Sequence, residues 1–170
     1  KPPSALIGCG SEIRLPPESD RVEHEAELGV VIGRRARRLS VQEASEAIFG
    51  YTAVNDVTAR DLQIRDGKFT RGKGFDTFCP CGPWIQTAFE PSDVAVRLFL
   101  NDTLRQDGRT ASMIFPVMQL VAFISRIMTL EPGDLICTGT PAGVGKLIEG
   151  DVVRVEVDGL GSLYNPVVAD

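Results

Sequence analysis

Three carboxylates have the types and the spacing to hold a hard metal ion. Glu25 and Glu27 lie two residues apart in the run HEAELGVVIG, and Asp56 follows in the run GYTAVNDVTARD. Residues two apart in a strand point to the same face, so the glutamates can converge on one cation while Asp56 reaches it from a second element. Three oxygen ligands suit a hard divalent cation. The alternative interpretation is an exposed strand face and a turn aspartate that caps a helix.

Polar side chains that follow Asp56 could contact an anionic substrate. Arg60, Gln63 and Lys73 could place hydrogen-bond donors beside a carboxylate-held metal, as an anionic oxo acid would need. Taken alone, Lys73 fits a solvated loop lysine better than a catalytic one.

His24 is the only histidine of the chain. On the predicted strand it points to the face opposite Glu25 and Glu27, because neighbouring strand residues alternate in direction. We interpret it as a residue that packs or orients a ligand, and we leave it out of the catalytic set.

The elements that position these residues follow from hydrophobic periodicity and turn chemistry. Apolar residues alternate with polar ones from Glu25 to Ile32, which predicts a strand whose glutamates lie on the face opposite the core. Ser40 and Glu43 match a capping box, which predicts a helix over residues 41–49. A β-branched and aromatic run predicts the next strand over residues 51–57.

The rest of the chain has many short apolar runs separated by turns. This pattern predicts a surface loop over residues 60–78 with one helical turn over residues 59–64, a hairpin at Asn101-Asp102, and one long amphipathic helix over residues 113–128. Further strands are predicted over residues 5–7, 83–87, 94–100, 135–138 and 152–157. The fold class is therefore α+β and β-dominated, with two helices.

Composition narrows the classes of partner. The chain has 170 residues, of which 43% are hydrophobic and 24% are charged. This length and composition predict a single globular domain over residues 1–170. A net charge of −5 argues against nucleic acid, which needs a concentrated positive surface. No apolar run approaches the roughly 20 residues of a membrane span. The only basic cluster is interpreted as a solvated turn: Arg34, Arg35, Arg37 and Arg38.

The cysteines and the start of the chain bear on its context. The four cysteines lack the spacing of a zinc site and are interpreted as free thiols in a reducing, cytoplasmic compartment: Cys9, Cys79, Cys81 and Cys137. The chain opens with Lys1 instead of methionine, from which we expect an upstream segment.

Five runs resemble the fumarylacetoacetate hydrolase family, in order and over nearly the whole chain. These are HEAELGVVIG, GYTAVNDVTARDLQ, GKGFDTFCPCGPW, TLEPGDLICTGTPAGVG and GDVVRVEVDGLGSLYN. The resemblance implies a β-roll of mixed, twisted sheets and commonly a homodimer. It also implies a Mg²⁺ or Mn²⁺ ion bound by the three acidic residues of the first two runs: Glu25, Glu27 and Asp56.

The resemblance also assigns roles around the metal. Lys73 would be the active-site lysine that stabilises oxyanion charge, Arg60 and Gln63 would contact the substrate, and Thr140 would bind its carboxylate. The family's hydrolytic and decarboxylating members typically use a Glu-His pair on an N-terminal lid. No such pair precedes Glu25 here, so the lid lies upstream of Lys1 or is absent.

The implied chemistry concerns short 2-oxo acids, because a metal that chelates the 2-oxo oxygen and the adjacent carboxylate stabilises an enolate. We expect C–C bond hydrolysis of acylpyruvates, or isomerisation and decarboxylation of 2-hydroxyhepta-2,4-diene-1,7-dioate in aromatic catabolism. Oxaloacetate decarboxylation is the alternative reaction. A non-catalytic metal-binding paralogue without a lid is the alternative class.

Overall fold

The computed structural model describes every residue from 1 to 170. Its two α-helices are α1 (Arg60–Asp66) and α2 (Val117–Ile127), and single 3-10 turns cover Pro3–Ala5, Ala44–Ala47 and Thr110–Ser112. The strands are β1 (Leu6–Ile7), β2 (Ile13–Leu15), β3 (Val22–His24), β4 (Ala26–Ile32), β5 (Ile48–Asn55), β6 (Thr58–Ala59), β7 (Cys79–Gln86), β8 (Ala95–Leu100), β9 (Thr103–Arg109), β10 (Leu135–Cys137), β11 (Gly145–Lys146), β12 (Val152–Val157) and β13 (Gly161–Ala169).

The strands form three sheets, of which the two larger ones are mixed and the small one is antiparallel. One five-stranded sheet has the order β1-β7-β5-β4-β10, the other has the order β2-β13-β12-β8-β9, and a small sheet has the order β11-β3-β6. The pairs β1 with β7 and β2 with β13 are parallel, whereas the remaining pairs are antiparallel. This arrangement confirms the α+β, β-dominated class expected from the sequence.

The main hydrophobic core lies between the two five-stranded sheets. Strands β4 and β5 contribute Leu28, Val30 and Ala53, and strands β8 and β12 contribute Leu98 and Val155. Every residue of β4 is buried, including those on the side away from this core. The glutamates on that side, predicted only to face away from the core, are therefore enclosed by other parts of the chain.

The predicted hairpin is present. Asn101 and Asp102 have φ values of 50° and 62° and form a two-residue loop between the paired residues Leu100 and Thr103. Left-handed conformations at both loop positions match the twist of the flanking strands. The apolar alternation of residues 152–157 likewise forms β12.

The helix predicted over residues 41–49 was wrong. The capping box itself forms, since the Ser40 amide donates to Glu43 Oε2 at 2.9 Å, but only a 3-10 turn follows. The reason is that β5 begins at Ile48 and pairs with Ile32, so sheet pairing overrides the local helix signal.

The long helix is shorter than predicted. It begins after Pro116, which caps α2 in an extended conformation instead of lying in its first turn. A proline disfavours helical geometry at the residue before it, so the helix cannot extend back through Phe115. Strand β13 was not predicted, and Pro166 lies within it. Neither α1 nor α2 has the length and hydrophobicity of a membrane span.

Candidate metal centre

The three predicted carboxylates come together. Oxygens of Glu25, Glu27 and Asp56 all lie within 4.8 Å of one another, and the three residues are buried. Glu25 lies between β3 and β4, Glu27 lies in β4, and Asp56 directly follows β5. The structure thus brings together the complete predicted ligand set.

Two backbone contacts fix Glu25 and Asp56 relative to each other. The Asp56 amide donates to the Glu25 carbonyl at 2.8 Å, and the Glu25 amide donates to Asn55 Oδ1 at 2.9 Å. Asn55 is itself buried at the end of β5. The main chain at Glu25 is therefore held against the main chain at Asp56, which brings the two side chains to one place.

Lys73 and Arg60 supply positive charge to the cluster. The Lys73 ammonium lies 2.8 Å from Glu25 Oε2 and also pairs with Asp56, while the Arg60 guanidinium pairs with the other oxygen of Glu25. Burial alone would lower the pKa of Lys73, but Asp56 and Glu25 outweigh it and raise that pKa. Lys73 is therefore a cation at neutral pH and acts as a donor, not as a base.

Glu23 positions Arg60 and was not singled out from the sequence. Its buried carboxylate accepts a hydrogen bond from Arg60 Nε at 2.8 Å and another from Arg21 Nε at 2.6 Å. Burial opposes ionisation, yet the two guanidinium groups hold the pKa of Glu23 below its usual value. The signal was present, since Glu23 extends the two-residue spacing of Glu25 and Glu27.

Gln63 and Thr140, the other predicted substrate contacts, make protein contacts. Gln63 Oε1 accepts a hydrogen bond from Arg60 Nη1 at 2.6 Å, so the NH2 group of the same side chain points away from Arg60. The Thr140 hydroxyl donates to the Ala26 carbonyl at 2.8 Å. The adjacent Gly139 amide donates to Glu27 Oε2 at 2.8 Å, so this loop borders the carboxylate cluster.

Lys1 is a further cation at the cluster that the sequence interpretation missed. Its ammonium donates to the carbonyls of Val57, Lys73 and Phe78 at 2.8, 2.9 and 2.6 Å. It also lies 2.8 Å from Asp56 Oδ1. Since its three protons are directed to carbonyls, this contact is an ion pair, and Oδ1 accepts no hydrogen bond. Nothing in the lead-in sequence indicated this contact.

The donor set fits a hard divalent cation. Three carboxylates buried at one point need compensating positive charge, and Asp56 Oδ1 accepts no hydrogen bond and has only the Lys1 ammonium beside it, at 2.8 Å. The three candidate ligands offer only oxygen, which is what Mg²⁺ and Mn²⁺ prefer. His24 is fully buried and bonds to Gln106, as expected for a residue outside the ligand set.

An open cleft adjoins the cluster. Its volume is about 1280 Å³, and both Asp56 and Lys73 contribute to its wall. Apolar side chains of Leu6, Phe69 and Phe75 line other parts of it. A small acid with an apolar segment could therefore enter from solvent and reach the cations.

Known proteins are similar to this chain in sequence. The family model described as fumarylacetoacetate (FAA) hydrolase C-terminal matches residues 1–168. Protein Rv2993c of Mycobacterium tuberculosis is 50% identical over 171 residues, covering 99% of this chain and 64% of that protein. The oxaloacetate tautomerase YisK of Bacillus subtilis is 41% identical over 178 residues, covering 98% of this chain and 59% of that protein.

Solved structures share the complete fold. The 2-hydroxyhepta-2,4-diene-1,7-dioate isomerase from Mycobacterium marinum matches with a TM-score of 0.99 at 49% identity, over 100% of this chain and 68% of that chain. The present chain spans only 64% of Rv2993c and 59% of YisK, the two relatives described above.

Burial of Glu27 predicts a pH dependence of stability. Desolvation, followed by the charge of Asp56, raises the pKa of Glu27 from 4.5 to about 8. Between these values the unfolded chain is ionised at this residue while the folded chain is protonated. In metal-free protein, the free energy of unfolding should therefore fall as pH rises from about 5 to 8.

Glu27→Gln should remove this contribution, which is on the order of a few kcal/mol. Denaturant unfolding at several pH values in the presence of EDTA measures it. The exposed Glu149→Gln provides the matched control and should keep the wild-type slope. An identical slope in wild type and Glu27→Gln would contradict the raised pKa.

Proposed function

The chain belongs to the fumarylacetoacetate hydrolase family, and from that premise we propose that it is a divalent-metal-dependent enzyme acting on small 2-oxo or 2-hydroxy-dienoic acids. The observation that carries the proposal is the convergence of Glu25, Glu27 and Asp56 with the Lys73 ammonium directly beside them. The carboxylates would hold Mg²⁺ or Mn²⁺. A bound ion of this kind supplies Lewis acidity toward the oxygens of a 2-oxo acid.

The protein's own residues would stabilise an enolate. Lys73 remains protonated, so its ammonium can donate a hydrogen bond to an oxygen that gains negative charge. Arg60, held by Glu23, would pair with a substrate carboxylate, since a guanidinium matches a carboxylate in charge and geometry. Gln63 and Thr140 would complete the substrate contacts at the two sides of the cluster.

A 2-oxo diacid is a chemically matched substrate for this charge arrangement. Lys73 and Arg60 pair with Glu25, and a divalent cation held by the same carboxylates would share that role. Both side chains would then be available to an anionic substrate. The cleft of about 1280 Å³ has room for a short diacid and apolar walls for its carbon chain.

Isomerisation or tautomerisation is the reaction we favour. Stabilisation of an enolate is what the assembled side chains can perform by themselves, and both reactions pass through one. The proton that each reaction moves between oxygen and carbon would be exchanged with solvent in the open cleft. The similar proteins support this choice, because they include a 2-hydroxyhepta-2,4-diene-1,7-dioate isomerase and an oxaloacetate tautomerase. Acylpyruvate hydrolysis shares the enolate but also requires an activated water. Decarboxylation of oxaloacetate is the remaining alternative.

A substrate panel tests this proposal. We expect Mg²⁺- or Mn²⁺-dependent conversion of 2-hydroxyhepta-2,4-diene-1,7-dioate or enol-oxaloacetate, followed by ultraviolet absorbance, and loss of conversion with EDTA. Acetylpyruvate tests hydrolysis in the same assay. Absence of turnover with all three compounds would contradict an enzymatic role and favour the metal-binding paralogue.

Lys73→Met provides the residue-level test in the same assay. It should lower kcat by about 10²–10³-fold, the usual cost of removing one oxyanion donor. Affinity for Mg²⁺ should not fall, because Lys73 is a neighbouring cation and not a ligand. Lys68→Met, at an exposed lysine without an ion pair, is the control and should change neither value.

The metal claim has a direct binding test. Glu25→Gln should weaken Mg²⁺ binding by at least about 10–100-fold, which is the usual cost of mutating a residue that supports a metal ligand. Isothermal titration calorimetry with the metal alone measures this. Glu149→Gln removes one exposed carboxylate with no ion pair and should bind Mg²⁺ like wild type. Equal affinity in wild type and Glu25→Gln would exclude Glu25 as a ligand.

We further propose that the chain forms a homodimer in the cytoplasm. The side chains of Ile114 and Phe115 are 89% and 58% exposed, and those of Phe123 and Ile127 on α2 are 57% and 60% exposed. Several large apolar side chains exposed on α2 and on the residues just before it support a protein contact. Light scattering should give twice the chain mass of 18.4 kDa for wild type and a monomer for Ile114→Glu/Phe115→Glu.

The four free thiols of the chain support the proposed cytoplasmic location, because free thiols persist in a reducing compartment.

A further inference from the structure

Gln106 connects the metal-binding strands to the loop that carries Thr140. It lies on β9, and its side chain is fully buried. Its Oε1 accepts from the Ala26 amide at 3.0 Å and lies 3.0 Å from His24 Nδ1. Its Nε2 donates to Thr140 Oγ1 at 2.7 Å and to the Pro141 carbonyl at 2.9 Å.

The orientation of this amide is determined at both ends. The Ala26 amide can only donate, so the atom facing it must be the Gln106 oxygen. The Pro141 carbonyl can only accept, so the atom facing it must be the Gln106 nitrogen. Because His24 Nδ1 also faces the oxygen, that ring nitrogen must carry the hydrogen, and the buried Nε2 has no partner.

Gln106 also determines the direction of the Thr140 hydroxyl. Thr140 Oγ1 accepts from Gln106 Nε2 and donates its single hydrogen to the Ala26 carbonyl at 2.8 Å. Ala26 lies between the two glutamates of the cluster, so the loop is tied to the strand that carries them. The neighbouring Gly139 amide donates to Glu27. These bonds hold the loop backbone against the carboxylates.

The same loop fits closely against β9. A side chain at Gly143 would place its Cβ 2.1 Å from the Arg105 carbonyl oxygen, and the residue has a φ of +102°. A Cβ at Gly108 would lie 2.6 Å from Pro141 Cβ. Strand β9 therefore supports the loop on both sides of Gln106, and Gln106 supplies the polar contacts within it.

We infer that Gln106 is a positioning residue for substrate binding: through Thr140 and Pro141 it holds this loop at the edge of the metal centre, beside the place where substrate would bind. The inference rests on the proposed function in assigning the substrate carboxylate to this loop. Gln106 touches none of the three metal ligands' carboxylates, so its effect should appear in substrate affinity and not in metal affinity.

Kinetics with Gln106→Met test the inference. With saturating Mg²⁺, KM for the compound that wild type converts should rise about tenfold, since loss of the amide leaves buried polar groups unpaired. Mg²⁺ affinity should remain within about twofold. Thr140→Val should also raise KM. The KM of the double variant should be no higher than that of the more impaired single variant, because the two residues act through one contact.

Asn165→Leu is the matched control. Asn165 is also a buried amide on a sheet strand, and its Nδ2 donates to the Gly8 and Ser11 carbonyls at 2.9 and 2.8 Å, away from the metal centre. It should lower the melting temperature without changing KM. An equal rise in KM for Asn165→Leu and Gln106→Met, or an unchanged KM for Gln106→Met, would overturn the inference.

His24 provides a readout that does not require turnover. As the only histidine, it gives a single pair of imidazole ¹⁵N signals. Wild type should show hydrogen on Nδ1, and Gln106→Met should lose this preference. A wild-type ring with hydrogen on Nε2 would overturn the inference even if Gln106→Met fails to fold. Absence of turnover by wild type would refute the proposed function, and the tautomer would then decide the Gln106 arrangement alone.

Discussion

Burial of three carboxylates at one point is the constraint on which the rest of the structure depends. An isolated buried carboxylate is unfavourable, and neighbouring ones raise the cost by mutual repulsion. The protein offsets this cost with cations brought from three separate segments: Lys1 from the start of the chain, Arg60 from α1 and Lys73 from the following loop. Glu27 accepts a hydrogen bond only from the Gly139 amide, and its burial beside Asp56 raises its pKa.

The same constraint explains why β4 is buried on both sides. One face packs into the core through Leu28 and Val30, and the other carries Glu27 beneath the loop of residues 138–143. Gln106 joins β4 to this loop, because its side chain bonds to the Ala26 amide and to the Pro141 carbonyl. The loop and the strand that carries Glu27 are thus parts of one hydrogen-bonded unit.

Sequence reasoning predicted that Glu25, Glu27 and Asp56 converge because strand periodicity and residue chemistry are local properties. It also placed Arg60 and Lys73 beside them. It did not predict Lys1, Asn55 or Gln106, since their roles arise from contacts between segments distant in sequence. The fold class was predictable for the same local reasons. The helix assigned to residues 41–49 failed because pairing of Ile48 with Ile32, a tertiary contact, outweighs a correctly formed capping box.

The parallel pairs described above have a consequence for how the protein folds. Leu6 must find Cys79 in β1 and β7, and Ile13 must find Val167 in β2 and β13, before the sheets are complete. Closing such long loops is entropically unfavourable and slows folding relative to local contacts. Lys1 lies shortly before β1 and therefore reaches Asp56 only with this closure. The complete set of charges around the carboxylates is therefore a product of late folding steps and not a nucleus for early ones.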